Sequence, residues 1–345
     1  MVKRSLFASL ALAPIAIAFH HLADLPETTE FVLSALALIP LAWLIGEATE
    51  HAAEHTGPGI GGFLNATFGN APELIIALIA VNEGLTEVVR GSLAGSVVSN
   101  LLLVLGAALV AGGRGTLDRL SSFLSFGLIA FATALFLVPS IPGWDGEPDT
   151  HALAVASTAI SVALLVVYIA VTWFSLRRHR ELHVASDDEI EGWSLRDALA
   201  ALTVATVATA LVAEILVGSL EVFAEKAGLS EFFVAAVIVA IVGNAAEHGG
   251  AVIVAFRGKI ALAGEIALSS AAQVAVFLIP AVALLAWLID PLSLSFRPVE
   301  IGALAASVGF TAIVLFGGHS SRARGTLLLA GYGVVVIAFL LAGDR

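Results

Sequence analysis

The chain has 345 residues, is 59% hydrophobic and only 13% charged, and carries a formal net charge of −12. Soluble domains hold about 25% charged residues, so this composition, with a mean hydropathy of +0.99, specifies a multi-span membrane protein. The acidic balance argues against nucleic-acid binding, which needs basic surface to neutralise phosphates, and the absence of cysteine excludes disulfides, thiolate metal sites and thiol nucleophiles.

Apolar stretches of about 17–25 residues match the thickness of a bilayer core. Eleven are expected, at about 5–21, 31–49, 60–82, 88–111, 119–138, 151–175, 196–218, 232–256, 260–288, 298–317 and 324–342. The first is preceded by Met1-Val2-Lys3-Arg4 and contains Ala16-Ile17-Ala18, a pattern shared with cleaved signal peptides. A retained helix ending at His20-His21 is the favoured reading, because the topology then needs no adjustment. With the N-terminus inside, Lys3, Arg4, Arg114, Arg119, Arg177, Arg178, Arg180, Arg196, Arg257, Lys259, Arg322 and Arg324 fall on one side. Only Arg90, Lys226, Arg297 and Arg345 fall on the other. That is the positive-inside bias of a correct count and orientation.

At the inner end of span two, Glu47, Glu50, His51, Glu54 and His55 share one helical face. Glu47, Glu50 and Glu54 suit an access funnel for cations. His51-x-x-Glu54-His55 also spells a zinc-peptidase pattern, which gives a remote alternative reading as a membrane zinc peptidase.

In span three, Gly69-Asn70-Ala71-Pro72-Glu73 places a carboxylate in the hydrocarbon, at a cost of roughly 2.5–3.5 kcal/mol on insertion scales. The same pattern returns in span eight as Gly243-Asn244-Ala245-Ala246-Glu247. Gly69, Pro72 and Gly243 weaken the helix beside each acid. A broken helix with an acid at its break, present in both halves of a chain, points to a transporter's ion site. The motifs lie five spans apart, an odd number, so the halves enter the membrane in opposite directions. The repeat continues from Gly91 to Asn100 and from Gly264 to Gln273 after a one-residue gap, pairing Ser96 with Ser269 and Asn100 with Gln273. Trp144 and Trp193 are expected at the membrane interface.

Two buried carboxylates, Glu73 and Glu247, with the carboxamides of Asn70 and Asn244 one turn earlier, make an all-oxygen site. Asn100, Gln273, Ser96, Ser99 and Ser269 are candidates for further oxygens. Hard cations such as Ca²⁺ take six to eight such ligands, and the lack of soft ligands disfavours copper. His248, which faces Leu74 in the repeat alignment, is either a structural histidine or a proton relay that tunes Glu247. Glu214 in span seven holds the place of Glu47 and is expected to be buried on the cation or proton path. Glu265, near an inner helix end, is expected to face water.

These residues resemble the calcium/proton exchanger family of the cation/calcium exchanger superfamily. The matching text runs from Asn65 to Ile75, from Gly95 to Gly106, through Gly243-Asn244-Ala245-Ala246-Glu247-His248, and on to Gln273 and Pro280. Sodium/calcium relatives typically carry Ser or Thr where this chain has Asn70 and Asn244. The family often has a small or β-branched residue at the place of Pro72, which here should deepen the break. Its acidic motif between the halves has a short likeness in Asp187-Asp188-Glu189-Ile190-Glu191, read as a solvated loop or as a cation sensor.

Residues and resemblance together imply an all-α polytopic membrane protein of about eleven helices, built as one N-terminal helix plus two inverted-topology five-helix repeats. The expected divisions are 1–22, 23–176, an acidic linker at 177–194, and 195–345. The implied function is a Ca²⁺/H⁺ antiporter rather than an enzyme, with no cofactor beyond the transported Ca²⁺ and H⁺. Its partners are the lipid bilayer and those ions; nucleic acid is excluded, and homo-oligomer formation is left open. The nearest rival is a sodium/calcium or other divalent cation exchanger on the same scaffold, and a cation channel would differ by showing no counter-transport.

Overall fold

In this computed structural model, residues 2–23, 25–180 and 192–344 are described. The acidic segment Asp187 to Glu191 lies outside the described residues. The structure is all-α apart from one two-residue strand pair.

The first half comprises α1 (Val2–Ser9), α2 (Leu12–Leu22), α3 (Glu27–Phe68), α4 (Ala71–Asn82), α5 (Thr86–Gly112), α6 (Arg119–Trp144) and α7 (His151–Arg180). The second comprises α8 (Leu195–Gly218), α9 (Leu220–Ala227), α10 (Glu231–Gly243), α11 (Ala245–Phe256), α12 (Ile260–Leu288), α13 (Pro298–Val314) and α14 (Arg322–Ala342). Among the described residues, seven helices are long and apolar enough to cross a membrane, or eight if α9 and α10, bent through 110°, count as one span. Leu6–Leu22, Ala71–Asn82 and Pro298–Val314 are shorter apolar helices. Together these define an all-α, multi-pass membrane protein.

One boundary differs from expectation. The expected spans at about 31–49 and 60–82 place a break between them, yet α3 runs unbroken from Glu27 to Phe68, through Gly57-Pro58-Gly59. A helix can continue through Gly and Pro where its freed backbone groups are otherwise satisfied. The chain breaks instead at Gly69-Asn70, immediately before the acid. Pro72 sits in the first turn of α4, where its missing N–H has no intrahelical partner to lose. It therefore starts the new helix rather than distorting an old one.

Glycines set the closest helix crossings. A Cβ on Gly95 would lie 2.0 Å from the Ala236 carbonyl oxygen, and one on Gly91 would lie 3.0 Å from the Phe232 ring. α5 of the first half therefore lies directly against α10 of the second. Gly325 brings α14 equally close to α5, since its Cβ would fall 2.6 Å from the Gly106 oxygen. Such small-residue contacts let backbones approach where no hydrophobic drive separates helix from lipid. α3 packs along α8. On the face opposite α5's start, β1 (Gly115–Thr116) pairs antiparallel with β2 (His319–Ser320), clasping the α5–α6 and α13–α14 loops together.

Buried Arg90 anchors the start of α5. Its Nη1 donates to Asp149 Oδ1 at 2.7 Å, and Nη2 donates to Asp149 Oδ2 at 3.2 Å. Asp149 lies in the α6–α7 loop, where Thr86 and Ser293 also donate to it. Burial pushes the Asp149 carboxyl up, but Arg90 and the two hydroxyls outweigh burial and hold it below its ordinary value. A depressed folded value adds stability above the unfolded carboxyl value of about 3.9, and that stability is lost as pH falls through the folded value. Asp149→Asn is expected to flatten this acid-side loss. At neutral pH it should cost about 1–3 kcal/mol, less than a fully buried pair would, because Asp149 is 34% exposed. Thermal unfolding across pH checks both; an unchanged acid-side slope would place the loss elsewhere.

Candidate cation site

The two acids stand at equivalent breaks. α3 ends at Phe68 and α4 starts at Ala71, with Asn70 between at φ −101° and ψ 16°. α10 ends at Gly243 and α11 starts at Ala245, with Asn244 between at φ −89° and ψ 9°. The Leu74 N–H donates to the Asn70 carbonyl at 3.0 Å, and the His248 N–H donates to the Asn244 carbonyl at 3.0 Å. Glu73 and Glu247 thus each occupy the first turn of a helix, where unpaired N–H groups and the helix dipole favour negative charge. Glu73 is 7% exposed and Asn70 and Asn244 1% each; Glu247 is half-buried.

The amides tie the halves together. Asn70 Nδ2 donates to Gln273 Oε1 at 3.4 Å. Asn100 Nδ2 donates to Asn244 Oδ1 at 3.3 Å and to Ser270 Oγ at 3.0 Å. Asn244 Nδ2 donates to Ser96 Oγ and to the Ala240 carbonyl, both at 2.9 Å. Ser270 Oγ in turn donates to Glu247 Oε2. Two buried acceptors, Glu73 Oε2 and Asn100 Oδ1, meet no donor among the described residues. Beside Glu73 a cavity of about 10 Å³, lined also by Ser92 and Ser96, is at the lower limit for one water. Carboxylates, carboxamide oxygens and hydroxyls converging without a resident cation side chain make a donor set suited to a hard cation.

Sequence reasoning missed Ser270 and Ser92. The motifs are offset by 174 residues, and that same offset pairs Ser96 with Ser270. Inserting a one-residue gap places Ser269 there instead. Ser269 Oγ donates to the Ile266 carbonyl of its own helix at 3.2 Å, and Ser99 Oγ likewise donates to Ser96's carbonyl at 3.1 Å. Neither is bonded to a carboxylate.

Other expected residues lie apart. Glu214 is exposed on α8 rather than buried, so the expectation of a buried path residue is corrected: its helical phase turns it off the packed face. Glu50 and Glu54 are exposed, and Glu47 is partly buried, all on α3. His51 lies between Glu47 at 3.7 Å and Glu54 at 3.3 Å and stacks on Trp193 at 5.3 Å. His55 Nε2 donates to the Trp193 carbonyl at 2.8 Å. Both histidines contact Trp193, His51 through its ring and His55 through its carbonyl, and among the described residues no three His, Asp or Glu side chains converge as metal ligands. Trp193 is half-buried against α3 and not an exposed interfacial residue, whereas Trp144 is 36% exposed and donates to the Phe296 carbonyl at 2.9 Å. His248 Nε2 is buried without a hydrogen-bond partner among the described residues.

Acids at the breaks of two apolar stretches, with carboxamides bridging between them, are the arrangement of a membrane ion-translocating protein. A family model described as sodium/calcium exchanger protein matches residues 28–177 and 198–341. The chain is 36% identical to a Ca(2+)/H(+) antiporter of Synechocystis sp., covering 96% of this chain and 95% of that protein. It is 38% identical to vacuolar cation/proton exchanger 1 of Arabidopsis thaliana, covering 90% and 72%. The solved structure of native YfkE superposes with a TM-score of 0.84 at 33% identity, covering 97% of this chain and 99% of that one. The chain belongs to the calcium/proton antiporter family of the cation/calcium exchanger superfamily.

Gly243 is packed on the other half's acid: a Cβ there would lie 3.0 Å from Glu73 Cγ. Gly243→Ala is expected to force Glu73 aside and to lower stability by about 1 kcal/mol, and Gly243→Val by more. Thermal unfolding measures it; an alanine variant as stable as the parent would show that Glu73 yields freely.

Proposed function

We propose that this protein exchanges Ca²⁺ for protons by alternating access, with Glu73 and Glu247 carrying both. The observation behind the reading is the pair of acid-bearing breaks whose carboxamides reach across the halves. Asn70 meets Gln273, and Asn244 meets Asn100. Because Asn100 and Gln273 are themselves matched in sequence, the contacts are reciprocal, which supports two inverted-topology five-helix repeats following an N-terminal helix. The eleven-span count follows from taking the three shorter apolar helices as spans alongside the bent pair. The divisions at 1–22, 23–176, 177–194 and 195–345 follow from that count. The excess of basic residues on one face supports a cytoplasmic N-terminus. The host membrane is read as a prokaryotic cell membrane, supported by the near full-length match to the Synechocystis antiporter.

The chemistry follows from charge. An empty, doubly ionised site is too costly to seal into a low-dielectric interior. One Ca²⁺ cancels two carboxylates, and so do two protons. Only those two states can be occluded and carried across, so exchange is enforced without a separate proton pathway. Asn70, Asn244, Asn100, Gln273 and Ser96 shape the cavity, Ser99 and Ser269 lie on the helices that line it, and Ser270 holds Glu247 in place. Glu47, Glu50 and Glu54 line the approach. His248 tunes Glu247.

Glu73→Gln and Glu247→Gln are each expected to abolish pH-driven Ca²⁺ uptake in sealed vesicles while the protein still folds, since Gln keeps the shape but removes charge and proton. Near-normal uptake by either variant would sink the two-carboxylate mechanism.

Two acids also set the stoichiometry at two protons per Ca²⁺, an electrically neutral cycle. A net charge moved per cycle would couple to voltage by about 2.3 kcal/mol per 100 mV. In proteoliposomes with fixed pH and Ca²⁺ gradients, the Ca²⁺ equilibrium should therefore ignore a potassium-clamped potential. A voltage-dependent equilibrium would imply a third proton carrier. His248 is then the nearest candidate, and His248→Asn should restore voltage independence.

A further inference from the structure

The net charge of −12 conceals a local concentration of the opposite sign. The β1–β2 clasp joins the α5–α6 loop to the α13–α14 loop. The α11–α12 loop is drawn against both: a Cβ on Gly115 would fall 2.2 Å from Ile260 Cγ2, and one on Gly112 would fall 2.8 Å from Ile260 Cδ1. Three loops far apart in sequence thus meet at one end of the molecule. They bring Arg114, Arg119, Arg257, Lys259, Arg322 and Arg324 together.

Their side chains fall into two sets. Arg119 Nη2 donates to the Gly317 carbonyl at 2.6 Å, and Arg324 Nη1 donates to the His319 carbonyl. These two stitch the clasp. Arg114, Arg257, Lys259 and Arg322 are exposed. None of the four is in an ion pair among the described residues. The Arg322 side chain lies over Gly113, next to Arg114: a Cβ on Gly113 would be 3.7 Å from Arg322 Nε. Of the nearest acids along the chain, Asp118 caps α6 by accepting from the Ser121 N–H at 2.6 Å. Glu265 is exposed and unpaired with any of them among the described residues.

Beside the three loops stand three bare phenylalanines: Phe123 on α6, Phe256 at the end of α11, and Phe316 in the α13–α14 loop. Phe123 is 73% exposed, Phe256 77% and Phe316 85%. Phe256 immediately precedes Arg257, Phe316 precedes the Gly317 that Arg119 grips, and Phe123 lies one helical turn beyond Arg119. Aromatic rings beside cationic side chains at a helix end suit the boundary where acyl chains meet headgroups. The positive-inside bias explains why these cations lie on this face. It does not explain why three loops are clasped so that four of them share one unneutralised patch.

We propose that this clasp is a docking surface for anionic phospholipid headgroups: the free cations hold the phosphate, and the three phenylalanines sit in the acyl layer beneath. The proposal stands apart from the Ca²⁺/H⁺ reading and uses no residue of the cation site.

The test uses the intact chain in detergent micelles doped with equal phosphatidylglycerol and phosphatidylcholine, counting retained lipid by native mass spectrometry. Basic residues near an anionic surface contribute about fivefold each, so the parent should retain phosphatidylglycerol over phosphatidylcholine by about tenfold or more. High salt should erode the preference. The variant Arg114→Gln/Arg257→Gln/Lys259→Gln/Arg322→Gln spares the two arginines that stitch the clasp and should bring the ratio near one. Arg114→Lys/Arg257→Lys/Arg322→Lys keeps the charges and should keep the preference; it decides the matter alongside the salt series if the glutamine variant fails to fold. No preference in the parent, a preference unmoved by salt, or one undiminished in the glutamine variant overturns the proposal. Displacement of the lipid by millimolar inorganic phosphate would assign the patch to a soluble anion and also overturns it.

Discussion

A carboxylate inside a membrane protein must be compensated, and the architecture around Glu73 and Glu247 is built on that demand. Water is scarce there, so compensation must come from backbone or side-chain dipoles or from a cargo ion. Breaking α3 from α4 and α10 from α11 supplies the first kind. Each acid then occupies a first helical turn, while the preceding helix ends at the same point. Such junctions are costly in hydrocarbon unless buried in protein. That requirement accounts for the close seating of α5 on α10 through Gly91 and Gly95.

The halves match without being identical. Glu247 receives the Ser270 hydroxyl, itself held by Asn100. Glu73 has one oxygen that meets no donor among the described residues and rests on the bare backbone of Gly243. Helix geometry contributes to the difference. The amide-bearing stretches run into π-helical turns, Ser99–Val104 in the first half and Val274–Leu278 in the second. A π-turn widens the helix by one residue and rotates every later side chain of that helix about its axis. Asn100 lies inside its π-turn, and Gln273 lies just before its own. The matched amides therefore leave their helices at different rotations.

Which features are visible in the sequence depends on whether the signal is local or tertiary. The acids, the breaks and the apolar lengths are legible because each is a local signal: a composition, a glycine, a motif. Ser270 is not, because choosing between two adjacent serines requires the rotation of α12, which a gap in the repeat alignment leaves undetermined. Glu214 misleads for a related reason. A charge in an apolar helix suggests burial, but the covered face of α8 depends on its neighbours, α3 above all. The continuity of α3 past Gly57-Pro58-Gly59 and the docking of Trp193 on His51 and His55 are tertiary outcomes. No local propensity announces them.

A site assembled from both halves has a mechanical consequence. Asn70 with Gln273, Asn100 with Asn244, and Asn244 with Ser96 are all contacts between halves, made at the same place as the two acids. Any displacement of one half against the other must therefore alter the polar contacts around the two acids. A ligand can shift a conformational equilibrium only by its differential affinity for the states. In the proposed mechanism that difference needs no remote transmission, because the acids that take the ion lie on the surface between the halves. Neutralising the acids removes the electrostatic cost of closing the halves over them, whether a divalent cation or protons do it. Under the two-carboxylate mechanism proposed above, binding and permission to move are one event, and a single pair of carboxylates then suffices for exchange.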